Sequence, residues 1–286
     1  MSFALPDEVL LHYSHSGGAP PASLDVLTVS VDGTASYLAG NPWPQQPPFD
    51  ELGWYAAALP EAMWRAIGAG ARVAASSSAA GGGIQSDTGR EFFAVRVDGR
   101  VFTARCNPAH VAPVLSALRA AAHEAIRWLR GHPVRTVRGA LALDDRAPDR
   151  LIVRLANRGR EAFVLQGSAA PGAELEIRAA IRPANGGRAA HTAAPDRLVG
   201  EAPLAVLSAE GAPLERTRWR LEPGAAIVLT LDATPIDLGR AAAGVLECLI
   251  RLCFPRPGTD GTTFVQEGWL LAAALTLPAA PAGTTS

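Results

Sequence analysis

Polar and apolar positions alternate where the chain opens. Residues 8–15 read as a strand, residues 24–31 as another, and Ser16-Gly17-Gly18 and Asp32-Gly33 mark their ends. The same two-residue period returns over 91–97 and 100–105. Asp98-Gly99 between these runs predicts a tight hairpin, because such a turn needs a left-handed backbone at both central residues. The period then lengthens. Val111, Val114, Leu115, Leu118, Ala122, Ala125, Ile126 and Leu129 share one side of a 3.6-residue repeat, which predicts a long amphipathic helix. Asn107-Pro108 is read as its cap. Arg127 and Arg130 suit the negative end of its dipole, and Gly131 with Pro133 stops it. A short helix is expected over 60–67, ended by Gly68 and Gly70. Residues 41–48 are expected to be extended and 74–83 to form a small-residue loop.

From about Val137 the pattern becomes almost wholly strand-like. Candidate strands cover 151–156, 161–166, 174–182, 204–209, 215–221, 225–231, 244–254 and 263–277. Turn signals separate them, among them Asn157-Arg158-Gly159, Asn185-Gly186-Gly187 and Pro223-Gly224. Short strands at this spacing argue for a β-sandwich. The runs LIVRLANRGREAFVL and RWRLEPGAAIVLTL look like Ig-like sandwiches of bacterial proteins. The expected fold class is thus an α+β N-terminal domain over 1–136, followed by an all-β Ig-like sandwich over 137–279 and a flexible tail at 280–286. Residues 138–150 are expected to hold the boundary.

Composition narrows the chemistry. All 26 basic residues are arginine, and Arg, Ala, Gly and Pro together suggest a GC-rich genome. Without lysine the chain has no phosphate-loop ATPase, no protein-kinase site and no Schiff-base nucleophile. The formal net charge of −1 offers no broad field for nucleic acid or an anionic membrane. No apolar run reaches the ~18 residues of a spanning helix, and the first residues lack the pattern of a signal peptide. Three cysteines, Cys106, Cys248 and Cys253, make an odd count. Together with the missing leader this suggests a reducing cytoplasm.

No catalytic constellation emerges from spacing. His12 and His15 lie three apart on a strand and so face opposite ways. His123-Glu124 has Arg at 127 where a zinc-protease helix needs its second histidine, so His123 is read as a solvated helix residue. Ser16 lacks a partner, since His15 points away from it. Cys106 precedes a helix start, where a thiolate gains stability, yet a buried structural thiol is the simpler reading. Gly81-Gly82-Gly83 has no dinucleotide spacing. Asp144, Asp145 and Asp149 lack a calcium-loop pattern and sit among arginines. No cofactor, no metal and no catalytic residue is therefore expected. Two surfaces are candidates for partner binding. One is Arg216, Arg218 and Arg220, which alternate onto one strand face suited to carboxylates. The other is the proline-flanked Trp43, a potential anchor.

The strand into Ser16-Gly17-Gly18, the segment EFFAVRVDGRVFTA and the helix ending LRAAAHEAIRWL together resemble emfourin-type proteinaceous inhibitors of metalloproteases. That resemblance spans 8–131. It implies a hairpin followed by a helix, and a protease as partner. The proline-rich stretch over 41–48 and the whole second half have no counterpart in it, so no inhibitory residue is carried over. The function expected from the sequence is a non-catalytic, cytoplasmic binding or accessory protein that docks onto a larger protein. A protease inhibitor and a hydrolase with its site between two domains are the alternatives. The polar side chains are expected not to converge into a reactive centre.

Overall fold

In the computed structural model, described residues are 5–16, 24–39, 51–76, 90–107, 111–144, 147–168, 175–183, 199–203, 206–207, 216–232, 244–255 and 263–270. They form an α+β protein, mostly antiparallel sheet with two helices. The chain falls into two units, with Leu52–Thr136 in the first and the residues from Val137 onward in the second.

The first unit contains β1 (Val9–Ser16), β2 (Leu24–Ser30), β3 (Thr34–Ala39), β4 (Glu51–Ala58), α1 (Glu61–Ser76), β5 (Arg90–Val97), β6 (Arg100–Cys106) and α2 (Pro113–Leu129). Its strands lie in the order β4-β3-β2-β1-β5-β6, each pair antiparallel. β6 ends this order, with Arg100, Val101, Thr103 and Arg105 exposed. The expected hairpin is present: Asp98 and Gly99 have φ of 49° and 73°.

One sheet face is apolar. Leu11, Tyr13, Leu27, Val29, Tyr37, Phe93 and Val95 point from it into a single cluster with Ile67, Ala71, Leu115, Leu118, Ala122 and Leu129 from the helices. Each fully buried Leu or Phe contributes about 1.5–3 kcal/mol. α1 meets α2 backbone to backbone. A Cβ built on Gly70 would stand 2.8 Å from the Leu118 Cα. Gly53 in β4 has φ +129°, and a Cβ there would fall 2.1 Å from the Arg135 carbonyl oxygen. Only glycine fits either place.

Several expectations change here. Gly68 and Gly70 do not end α1, which runs on to Ser76, because the contact with α2 outweighs their poor propensity. α2 begins at Pro113 with Ala112 as its cap residue, not at Asn107-Pro108. A proline at the first turn needs no donor there, so Pro113 fixes the start. β3 and β4 were not anticipated.

The second unit takes up β7 (Pro133–Asp144) from Val137 onward. It continues with β8 (Ala147–Asn157), β9 (Phe163–Ser168), β10 (Leu175–Pro183), β11 (Val199–Pro203), β12 (Val206–Leu207), β13 (Arg216–Leu221), β14 (Ala226–Asp232), β15 (Gly244–Pro255) and β16 (Thr263–Leu270). One set of its strands runs β12-β14-β8-β7, and a second runs β13-β9-β10-β15-β16 with β11 on β10. The supposed boundary at 138–150 lies within the β7–β8 pairing instead, since Val137 pairs Asn157 and Leu143 pairs Leu151. Buried Asn157 ties the end of β8 to its neighbours. Its Nδ2 donates to the carbonyls of Glu161 (2.9 Å) and Leu221 (3.1 Å), and its Oδ1 accepts from the Gly159 N–H (2.8 Å).

Candidate functional site

The face of the first sheet that meets the helices is not apolar to its end. Glu91 shares strand parity with Phe93 and Val95, so β5 points its carboxylate inward. Register places Cys106 opposite it on β6 and His15 opposite it on β1. Tyr13, one row deeper, lies beside Phe93 with ring centroids 4.9 Å apart. α2 crosses above, and its four-residue repeat brings Arg119 and His123 down on the same row.

Five polar side chains converge there. Glu91 is 1% exposed. Its Oε1 accepts from the Tyr13 hydroxyl at 3.0 Å, and Arg119 Nε donates to Oε1 and Oε2 at 3.0 and 2.7 Å. The Cys106 thiol donates to Oε2 at 3.5 Å. His123 Nε2 lies 3.1 Å from the Tyr13 oxygen and 3.5 Å from Glu91 Oε1. Because the phenol gives its hydrogen to Glu91, the hydrogen-bond pattern assigns a hydrogen to Nε2 of His123.

Electrostatics follow from burial against this donor set. Burial alone would raise the Glu91 carboxyl. Hydrogen bonds from His123, Arg119 and Tyr13, with the Arg119 charge, hold it down at about 2. Burial, then the Glu91 charge and hydrogen bond, push the Cys106 thiol up to about 11. Burial and Glu91 likewise raise the Tyr13 phenol, and the bond to Glu91 raises Arg119. The result is one permanent anion under one permanent cation, with a thiol and a phenol kept neutral beside them.

A second tie joins the other end of α2 to the sheet. Tyr37, buried on β3, donates to Asp25 Oδ1 at 2.9 Å and accepts from Arg130 Nη2 at 3.1 Å. The Arg130 guanidinium also lies 5.6 Å from the Tyr37 ring centre. His15 Nδ1 stands 4.0 Å from Asp25 Oδ2. At the helix exit His132 stacks on Trp128, its Nδ1 3.1 Å from the Trp128 carbonyl.

These placements correct one reading. His123 is not simply solvated; it is tied to Tyr13 and Glu91, because α2 lies with that flank on the sheet. The five polar side chains of the cluster come from four elements, β1, β5, β6 and α2. Cys106 gains no thiolate stabilisation, since its neighbour is an anion and α2 starts seven residues later. Ser16 ends β1 opposite Leu24 and Arg90. Trp43 lies outside the described residues, as do His191, Gly81-Gly82-Gly83 and Asp145. Arg216, Arg218 and Arg220 do fall on β13. The side chains of the first two lie outside the described ones, and exposed Arg220 is paired with Glu222. Among the described residues no group of His, Cys, Asp and Glu is arranged to hold a metal, and no helix is long and apolar enough to cross a membrane.

Fold and site define a class: an α+β protein, largely antiparallel sheet, whose first unit packs two helices on one sheet face and ties one of them, α2, to it through a buried carboxylate. No protein-family model matches the chain, and no curated protein matches it.

Proposed function

We propose that this protein works by binding a larger protein partner, not by catalysis. One observation carries the reading: the convergent groups saturate one another. A general acid or base needs a pKa near working pH, and a nucleophile needs an accessible anion or a base beside it. Glu91 sits at about 2 and Cys106 at about 11, on opposite sides of neutrality. Four donors already occupy the carboxylate. Such a cluster serves to fix α2 on the sheet. We read the second unit as an Ig-like sandwich, a fold that commonly presents edges and loops for recognition. Arg216, Arg218, Arg220 and Trp43 remain the protein's proposed contacts, in a reducing cytoplasm. The test is affinity capture from the native host with the wild type, Arg218→Glu and Trp43→Ala. Loss of a captured protein in either variant supports the reading. Equal capture by all three removes these contacts, and turnover in a broad hydrolase screen that vanishes in Cys106→Ala removes the reading itself.

A second reading makes the partner a metalloprotease. It is favoured by the element order: a strand running into Ser16, the β5–β6 hairpin, then α2. This is the order that the resemblance to emfourin-type inhibitors implies. Titration against a thermolysin-like peptidase decides it, and undiminished peptidase activity in micromolar excess of this protein rejects it.

A further inference from the structure

One flank of α2 carries Arg119, His123 and Arg127 at successive turns, about 6 Å apart. The Arg119 and His123 side chains are 30% and 40% exposed, and Arg127 is exposed. Arg119 reaches Glu91 through Nε alone. Its two terminal nitrogens have no partner among the described residues, nor has Nδ1 of His123 or the guanidinium of Arg127. The two inner side chains are held from below and unspent above. The exposed carboxylate of Glu124 lies about 100° round the helix from His123 and about 60° from Arg127, so it borders the strip at its Arg127 end.

The manner of holding is informative. A buried ion pair is a poor means of seating a helix, since apolar residues of similar volume commonly do it as well or better. What Glu91 and Tyr13 add is aim. Arg119 and His123 are set in one orientation before any ligand arrives, which removes much of the ordering cost of binding. Fixed guanidinium forks match carboxylates. Two guanidinium groups flanking an imidazole, on a chain of net charge −1, suit a short acidic segment better than a nucleic acid, which needs a broad basic field.

We propose that Arg119, His123 and Arg127 form a docking strip for an acidic segment of a partner protein, with Glu91 and Tyr13 as positioning residues beneath it. The inference rests on the binding reading above and gives it a surface. Its test is titration of an octaglutamate peptide into isotope-labelled protein, read at the side-chain N–H of Arg119 and Arg127 and at the His123 ring. Saturable shifts at all three that weaken with salt are expected. Arg127→Glu, which touches no described partner, lowers the affinity roughly tenfold without changing the fold. Glu91→Gln separates aim from charge. It removes a negative charge beside the strip, so simple electrostatics predicts tighter binding, whereas loss of aim predicts binding about fivefold weaker. Because Glu91→Gln also loosens α2, Tyr13→Phe is the companion variant. It keeps the ring, removes the tie to His123, and weakens binding while the Arg127 shift persists.

Absence of shifts at Arg119 and His123 overturns the strip. Unchanged or tighter binding by both Glu91→Gln and Tyr13→Phe overturns the positioning roles. Preference of the same three residues for a short DNA duplex over octaglutamate overturns the acidic-peptide assignment. A host partner captured equally by wild type and Arg127→Glu sinks the strip alone, whereas a host that yields no partner at all sinks the binding reading on which it rests.

Discussion

Glu91 is the residue on which most of the first unit's chemistry turns. Folding lowers its pKa from 4.5 to about 2, so the unfolded chain binds its proton more readily than the folded one. The stabilisation is therefore complete above about pH 4.5 and is lost as pH falls towards 2; it amounts to on the order of 3 kcal/mol. Urea unfolding at pH 6 and pH 3 should show about 2 kcal/mol of that loss in the wild type, the rest falling below pH 3, and a difference smaller by about that amount in Glu91→Gln. An identical pH response in the two proteins would contradict the assignment. Cys106 gives the complementary prediction. A thiol raised from 9.0 to about 11 holds about a hundredth of the usual thiolate at pH 8. Alkylation by iodoacetamide, followed at the Cys106 peptide by mass spectrometry, should run roughly a hundredfold slower in the native protein than in urea. Part of this was legible in the sequence. Glu91 has the parity of Phe93 and Val95, and an inward carboxylate on an apolar strand demands partners. The partners themselves were not legible, because Tyr13 and His123 are 110 residues apart and only the topology brings them together.

At the scale of elements, α1 and α2 offer a matched pair of substitutions. In Gly68→Ala the new methyl group meets nothing nearer than Arg72 Nη1 at 3.9 Å, so the variant gains helix propensity and should be more stable by up to about 1 kcal/mol. In Gly70→Ala the same gain is opposed by a Cβ 2.8 Å from the Leu118 Cα and 2.9 Å from its nitrogen. Backbone cannot step aside as a side chain does, and overpacking costs about 1–3 kcal/mol, so the net change should be destabilising. Thermal or urea unfolding of the two variants checks the opposite signs. The hairpin and α2 could be read from sequence because each has a clean period and its own stop. β4 could not, because Leu52, Gly53, Trp54 and Tyr55 are all buried; a strand covered on both faces shows an unbroken apolar run instead of alternation. Reading Gly68 and Gly70 as a helix end failed for the reason the variants probe: a close helix–helix contact favours the residue that propensity disfavours.

For the whole molecule, charge and sheet arrangement set how copies of the chain behave towards each other. The change to an almost wholly strand-like pattern near Val137 was visible from composition and turn spacing. The division of the strands into two sets was not, because pairing β14 with β8 and β13 with β9 depends on contacts 48 to 82 residues apart. With a net charge of −1 there is little long-range repulsion to keep molecules separate. Short-range safeguards then carry the burden, and β6 shows one. It pairs only with β5 among the described residues, and the arginines at positions 100 and 105 lie exposed near its two ends. Two such borders approaching antiparallel would bring like charges together, an arrangement that discourages strand addition. Arg100→Val combined with Arg105→Val should leave the native fold intact yet raise light scattering on storage, since colloidal lifetime here depends on a pair of guanidinium groups no catalyst or ligand requires.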